Sequence, residues 1–421
     1  MNRTILKTLA ATAGLALALA GCGGDDKPAA SAGGKTVVKI ALWNYASTPE
    51  FKALIDGYEA ENAGVDIQPV DILADDYSDK LTTMLAGGDT TDILTMKNVT
   101  DYARYANRGQ LLPLTDEAGK LDKAKYSGLT DFDLKGEYFA LPYRQDFWLL
   151  YYNKTMLKAA GVDPSKLTWS DYSAAAKKLT KGSGGSKVYG TYHHTWRSVV
   201  QAIAAAQTGG DLLSGDYGFL KDQYNVAVDL QKADAAMPWA TASSQKISYR
   251  TMFSTSKTAM MPMGTWYIAG LLQDKKDGKP TPDWGIAPLP QVDQSGKVTT
   301  FGSPTAFAVN KKSKNADAAK QFVTWASGPK GAAAISKIGV VPSYSDDAIL
   351  SSYFALAGMP QDEPAKKAFK PDTVKLEMPV SENSSDVDAI LTEEHELVMV
   401  GEKSVDQGIA EMGKRVKSEV G

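Results

Sequence analysis

Residues 36–94 read TVVKIALWNYASTPEFKALIDGYEAENAGVDIQPVDILADDYSDKLTTMLAGGDTTDIL, and the order of hydrophobic periods along this stretch decides the fold class. Val37, Val38, Ile40 and Leu42 form a short β-rich apolar run that ends on Trp43-Asn44-Tyr45, a strand followed by a loop. Phe51, Leu54, Ile55 and Tyr58 then recur at helical spacing behind Thr48-Pro49-Glu50, where Thr suits the cap and Pro the first turn. Val65, Ile67, Val70 and Ile72 make a second strand. A helix over about residues 77–86 buries Leu81, Met84 and Leu85 and stops at Gly87-Gly88, after which Asp92-Ile93-Leu94 opens a third strand. A β-α-β-α-β rhythm predicts an α/β fold with a mostly parallel sheet.

The alternation restarts after Pro142, with a strand over 147–152 and helices over about 155–160 and 170–180. A second α/β lobe is therefore expected. Further on, 306–309 reads as a strand and 316–325 as a helix, with Ala319, Phe322, Val323 and Ala326 on one face. No internal repeat is evident.

Toward the N-terminus, Arg3 and Lys7 precede a short Ala/Leu run that closes on Leu19-Ala20-Gly21-Cys22. That is the form of a secretory signal; the run falls short of the about 18 to 20 apolar residues that a spanning helix needs. The tetrad resembles the bacterial lipobox, in which the thiol is diacylated and becomes the new N-terminus. Cys22 is the only cysteine among 421 residues, so no intramolecular disulfide is expected. Residues 1–22 are thus expected to be signal peptide and lipobox, and 23–35, rich in Gly, Ala, Ser and charge, a flexible tether. The mature protein is expected on the extracytoplasmic face of the cell membrane, held by lipid alone.

Apolar content of 43% and aromatic content of 9% are globular values. A net charge of −3 offers no basic field for a polyanion, which sets nucleic acid aside. The sequence holds no HExxH, GxSxG, P-loop or GxGxxG motif, so no enzyme and no cofactor are expected. The adjacent His193 and His194 point to opposite faces of a strand, and Asp71, Asp75, Asp76 and Asp79 lack the glycine and terminal Glu of a calcium loop. No metal site is expected.

Aromatic residues instead stand beside polar ones in loops and at strand ends: Trp43-Asn44, Tyr143-Arg144-Gln145-Asp146, His194-Thr195-Trp196-Arg197, Trp239 and Trp266-Tyr267. Such groups suit sugars. The C–H faces of a pyranose stack on indole or phenol, while its hydroxyls exchange hydrogen bonds with Asp, Arg, Asn and His. Charge-assisted hydrogen bonds offset the removal of water from those hydroxyls. Tryptophan is also a packing residue: Trp325, on an apolar helix face, and Trp169, at a helix start, read as core. Trp266, after Gly264-Thr265 at the end of an apolar strand, reads as a stacking platform, because open α/β sheets bind ligands beyond strand ends.

Several segments together resemble the family 1 extracellular solute-binding proteins, the sugar-binding components of bacterial ABC importers. They are Leu85-Ala86-Gly87-Gly88 with Asp92-Ile93, Leu141-Pro142-Tyr143 leading into Leu150-Tyr151-Tyr152-Asn153-Lys154, and Met260-Met261-Pro262-Met263-Gly264-Thr265-Trp266. Gly285-Ile286-Ala287-Pro288-Leu289-Pro290, Ser313-Lys314-Asn315 with Ala318-Ala319 and Phe322, and Val341-Pro342 continue the series. The resemblance implies a two-lobed periplasmic-binding-protein-like fold of type II, with lobes joined by a multi-strand hinge and ligand held in the cleft between them. It implies crossings near 142–146, 301–304 and 325–331, hence a first lobe of 36–145 plus 303–330 and a second of 146–302 plus 331–421. Trp266 and Gly264 match the family's stacking element, Tyr143 its Pro-Tyr cleft element, and Trp43 and Asn44 its first loop. Asp92 and Asn98, with Met96 and Lys97, match the region of a further contact. Arg144, Asp146, His194, Trp196, Arg197 and Ser303 complete the expected ligand site by position and chemistry. The implied function is capture of an oligosaccharide by a monomer and its delivery to permease subunits. The alternatives are a binding protein for a polyol, glycerol phosphate, peptide or polyamine, or a secreted carbohydrate-active enzyme.

Overall fold

A computed structural model describes residues 34–421. Cys22, the signal peptide and all but the last two residues of the tether lie outside the described residues.

Eleven strands are present among the described residues: β1 (Thr36–Trp43), β2 (Val65–Ile72), β3 (Ile93–Met96), β4 (Asp133–Leu134), β5 (Glu137–Tyr138), β6 (Ala140–Asn153), β7 (Tyr189–Thr191), β8 (Thr258–Gly264), β9 (Trp284–Ala287), β10 (Thr299–Val309) and β11 (Thr373–Leu376). Nine of them join one sheet along the path β2-β1-β3-β10-β6-β8-β7, with β11 added to β10 and β9 to β6. The opening stretch folds as its periodicity predicts. β1 lies parallel to β2 from Thr36 opposite Val65 to Trp43 opposite Ile72, and parallel to β3. Helices Pro49–Glu61 and Tyr77–Ala86 make the crossovers.

The middle of the sheet departs from the parallel expectation. β10 runs antiparallel to β3 and to β6, and β6 antiparallel to β8 and β9. Both central strands are longer than the apolar runs that announce them: β6 covers 14 residues and β10 covers 11. Each passes from one hydrophobic core into the next. The first core gathers Val38, Leu54, Leu81, Leu94, Phe307 and Phe322; the second gathers Tyr151, Tyr172, Ile203, Met261, Tyr267 and Ile286. A third, with Tyr224, Leu391 and Met412, unites the helices Lys221–Lys232, Ser384–Met399 and Val405–Glu419 on the second lobe.

The third passage between lobes lies further along than 325–331. That segment is helical, Ala316–Ser327 followed by Pro329–Ser336, and Ile335 and Val340 still pack in the first core. The two helices meet closely because Gly331 has no side chain: a Cβ there would lie 2.0 Å from the carbonyl oxygen of Ala326. The crossing itself runs beside β6, where the Gln145 amide donates to the Val341 carbonyl (3.1 Å) and the Ser343 amide to the Tyr143 carbonyl (3.0 Å).

Candidate functional site

Side chains alternate along β6, so Arg144, Asp146 and Trp148 share one face while Gln145 and Phe147 share the other. On β10, Ser303 stands opposite Asp146 and Thr305 opposite Arg144, adding their side chains to the first face. Arg144 is the hub there. Its Nη1 donates to Glu50 Oε1 (2.5 Å) from the first turn of Pro49–Glu61, and its Nε lies 3.2 Å from Thr305 Oγ1 and 2.9 Å from Asp146 Oδ2. Asp146 also accepts from Thr265 Oγ1 at 2.8 Å. All three charged side chains are buried. Burial pushes the Glu50 and Asp146 carboxyls up, with Arg144 pulling against it. Burial opposes the guanidinium charge too, yet the carboxylates facing it hold its pKa above the ordinary value.

Beside this polar floor stands a group of aromatic rings from the second lobe. Trp266 opens the helix Trp266–Lys276 and folds back over Gly264, where a Cβ would lie 1.8 Å from the indole. The ring stands edge-on to Trp148 at 5.8 Å and tilted to Trp196 at 6.1 Å. His194 packs at 4.3 Å on Trp196 and 5.3 Å on Tyr249. Trp148 itself stacks on Phe301 from β10. Trp196 and Trp266 are only half-buried, which leaves ring surface for a ligand.

From the first lobe, Trp43 closes the end of β1, edge-on to Phe51 and Tyr77. The Lys97 ammonium stands 5.7 Å and the Arg144 guanidinium 5.8 Å over its ring, a double cation–π contact. Lys97 donates to the Ala74 carbonyl at 2.6 Å, and burial lowers its pKa. Burial also lowers the His194 imidazole to about 4, with Asp75 and Lys97 of the opposite lobe close enough to act on it. Trp43, Arg144, Asp146, Ser303, Trp196, His194 and Trp266, expected from sequence, are thus linked in one series of contacts through Trp148 and the pairing of β6 with β10. Ser303 Oγ is buried there without a hydrogen-bond partner.

Five expected contacts are engaged elsewhere. Asp92 lies at the far, N-terminal end of β3, where it accepts from the Lys39 amide (2.8 Å) and Ser313 Oγ (2.6 Å). Asn98 caps the helix Val99–Asn107 by accepting from the Asp101 amide at 2.8 Å. Tyr143 packs into the first core, stacked at 4.4 Å on Phe307. Arg197 pairs with Asp388 on the third core's helix. The Asn44 side chain, on a backbone with φ of 44°, accepts from the Ala74 amide at 3.1 Å. Trp239, buried in the third core, donates to the Thr195 carbonyl. Lys97, in the region expected to supply a further contact, does stand beside Trp43, and Glu50, Trp148, Tyr249, Thr265 and Thr305 join the same group without being among the ligand contacts expected from sequence. Trp148 carries a legible signal, since it follows Asp146 by one full period of the strand.

The family model described as "bacterial extracellular solute-binding protein" matches residues 45–333. The chain belongs to this family. A sugar transporter of Rhizobium etli, solved in an open conformation, is 35% identical to this solute-binding protein, with 91% of this chain and 99% of that one covered and a TM-score of 0.73. An ABC substrate-binding protein of Listeria monocytogenes in complex with cycloalternan is 22% identical over 91% and 98% of the chains, with a TM-score of 0.78, and shares the fold. Among curated proteins, the arabinooligosaccharide-binding protein of Bacillus subtilis is 25% identical over 258 residues, 58% of each chain. The match to the solute-binding protein therefore spans somewhat more than half the length of that relative.

Proposed function

We propose that this solute-binding protein captures an oligosaccharide between its lobes and delivers it to the permease of an ABC-type importer. The observation that carries the reading is the pairing of half-buried indoles, Trp196 and Trp266, with the fixed polar floor of Arg144, Asp146 and Ser303. Stacking faces beside pre-oriented charged partners are what a sugar ring requires. The relatives named for sugars support the same class of ligand. A phosphorylated solute fits less well, because both carboxylates bonded to Arg144 compete with an anion for its guanidinium. Glycoside hydrolysis would need two carboxyls free to act on either side of a glycosidic bond. Here Glu50 and Asp146 are held by one arginine, and this supports binding without bond cleavage.

Closure around the ligand would shift the population of open and closed forms by its extra contacts in the closed one. Cys22, diacylated, would hold the monomeric receptor by two acyl chains at the outer face of the membrane, with 23–35 as its leash. Among the described residues no helix is long and apolar enough to cross a membrane. Isothermal titration against a panel of mono-, di- and trisaccharides tests the function, and silence across the whole panel would overturn it. For the anchor, Cys22→Ala is expected to release a competent binder into the medium and to impair uptake; a variant that stays with the membrane fraction refutes it.

A further inference from the structure

The face of β6 turned away from the sugar surface, carrying Gln145 and Phe147, forms with Gly302 of β10 the floor of a cavity of about 740 Å³. Its walls come from both lobes. Ser127, Gly128 and Asp131 stand on the first-lobe side, Val341 and Pro342 on the third crossing, and Tyr353, Phe354 and Phe369 on the second-lobe side. The last three rings form an edge-to-face cluster with centroids 5.1 to 5.6 Å apart. A cavity of this size with mainly apolar walls is typical of a site for a small organic molecule.

Three further features say what kind. Tyr353 is 3% exposed and its hydroxyl has no hydrogen-bond partner, and Gln145 Oε1 in the floor is likewise buried and unpartnered. Such groups are costly to leave unmet, so they mark where a ligand's polar atoms would sit: the Tyr353 hydroxyl can donate to an anion, whereas Gln145 Oε1 only accepts and calls for a ligand donor or a water. Lys366, Lys370 and Lys375 line the rim, and among the described residues only Lys366 is tied to an acid, Glu363. The one acid in the described wall, Asp131, has its carboxyl pushed up by burial toward the neutral form. Finally, Leu350 and Val374, which line the same cavity, are 44% and 42% exposed, two of the few large apolar side chains so exposed among the described residues. We infer that this reverse-face cavity is a second ligand site, that it takes an amphipathic organic anion with an aromatic body, and that its occupancy is coupled to closure of the front cleft.

The coupling follows from placement. Both sites are built on opposite faces of the same two strands, so a bend that narrows the front widens the back. In this structure the front is drawn together: Ser384–Met399 of the second lobe packs on Val99–Asn107 of the first, and Lys135 pairs with Glu382 across the gap at 2.5 Å. A molecule in the rear cavity favours that arrangement and is favoured by it, because coupling between sites is reciprocal.

The test titrates the whole chain with 2-naphthoate and, as a neutral isostere, 2-naphthylmethanol. Saturable binding of the naphthoate is expected, with the alcohol at least about tenfold weaker. Lys370→Glu with Lys375→Glu should weaken the anion and spare the alcohol. Leu350→Trp, at an exposed position, should block both while leaving the melting temperature unchanged. No saturation by about 1 mM, or unaltered binding to the Leu350→Trp chain, overturns the site. The coupling arm rests on the oligosaccharide reading: naphthoate should tighten sugar affinity several-fold, and equal sugar affinity with and without it overturns the coupling. Because the naphthoate titration needs no sugar, the rear site stands or falls by itself even where the front cleft binds no saccharide.

Discussion

Arg144 holds Glu50 from the first lobe's opening helix and Asp146 from the hinge strand on one guanidinium. Removing the cation would leave two buried carboxyls without it, a change typically worth about 3 to 5 kcal/mol. Arg144→Met is therefore expected to lower the urea midpoint sharply at pH 7 and to recover part of the loss at acid pH, where the carboxyls are neutral; a midpoint shift independent of pH would contradict this. Trp266 makes a different kind of contribution. Its ring is half-buried and packs edge-on against Trp148, so Trp266→Ala should cost about 2 to 4 kcal/mol of sugar affinity. Calorimetric titration reads it directly. At this scale the sequence shows types better than neighbours. Tyr143 reads as a cleft residue, but the pairing of β6 with β10 shifts register between Thr305 and Ala306, and Tyr143 falls into the shift and turns inward. Asp92 is claimed by the Lys39 amide and by Ser313, 53 and 221 residues away along the chain. No local pattern announces such partners.

Among elements, the strand-turn-helix from β8 into Trp266–Lys276 positions the indole proposed to stack on the sugar. Adding a methyl at Gly264 would press on the indole, so Gly264→Ala should abolish most sugar affinity while the protein remains folded, checked by titration beside circular dichroism. Gly190 of β7 faces a harder obstacle: a Cβ would lie 1.7 Å from the Ala176 carbonyl in the helix Trp169–Leu179. Backbone cannot yield as a side chain can, so Gly190→Ala is expected to depress the melting temperature more than Gly264→Ala does. The helices are the most legible elements. Thr168 and Asp171 form a reciprocal capping box, and apolar spacing carries the rest. The long strands read short in sequence, as 147–152 and 306–309, because their other halves hold Arg144, Gln145, Asp146, Ser303 and Thr305. Polar residues that satisfy one another across a buried hinge do not look like strand in a hydrophobicity pattern.

At the level of the whole molecule, all three histidines are kept neutral by burial, with pKa values lowered to about 4 for His193 and His194 and about 3 for His395. The unfolded chain takes up protons below about pH 6.5 that the folded one refuses, so this part of the stability is present above that pH and is lost as pH falls toward the folded values. The raised carboxyls of Glu50, Asp101, Asp146 and Glu377 act in the opposite sense. A difference measurement separates the two. His395→Phe loses the hydrogen bond to Tyr224 at pH 7, and its deficit relative to the parent should shrink between pH 6.5 and 4.5 by up to about 1.4 kcal/mol per unit. A constant deficit across that window would mean that His395 is charged in the fold.

The path of the chain through the central sheet also governs the order of events during synthesis. The first core needs Phe307 and Phe322, which arrive only after the strands β6 to β9 of the second core have been made. Until then the first lobe has an open sheet edge at β3 and cannot complete its cooperative unit. Contacts so distant in sequence slow folding. For a member of an extracellular family, a nascent chain unable to lock its first half would stay loose enough to be passed across a membrane, and would acquire its shape on the far side.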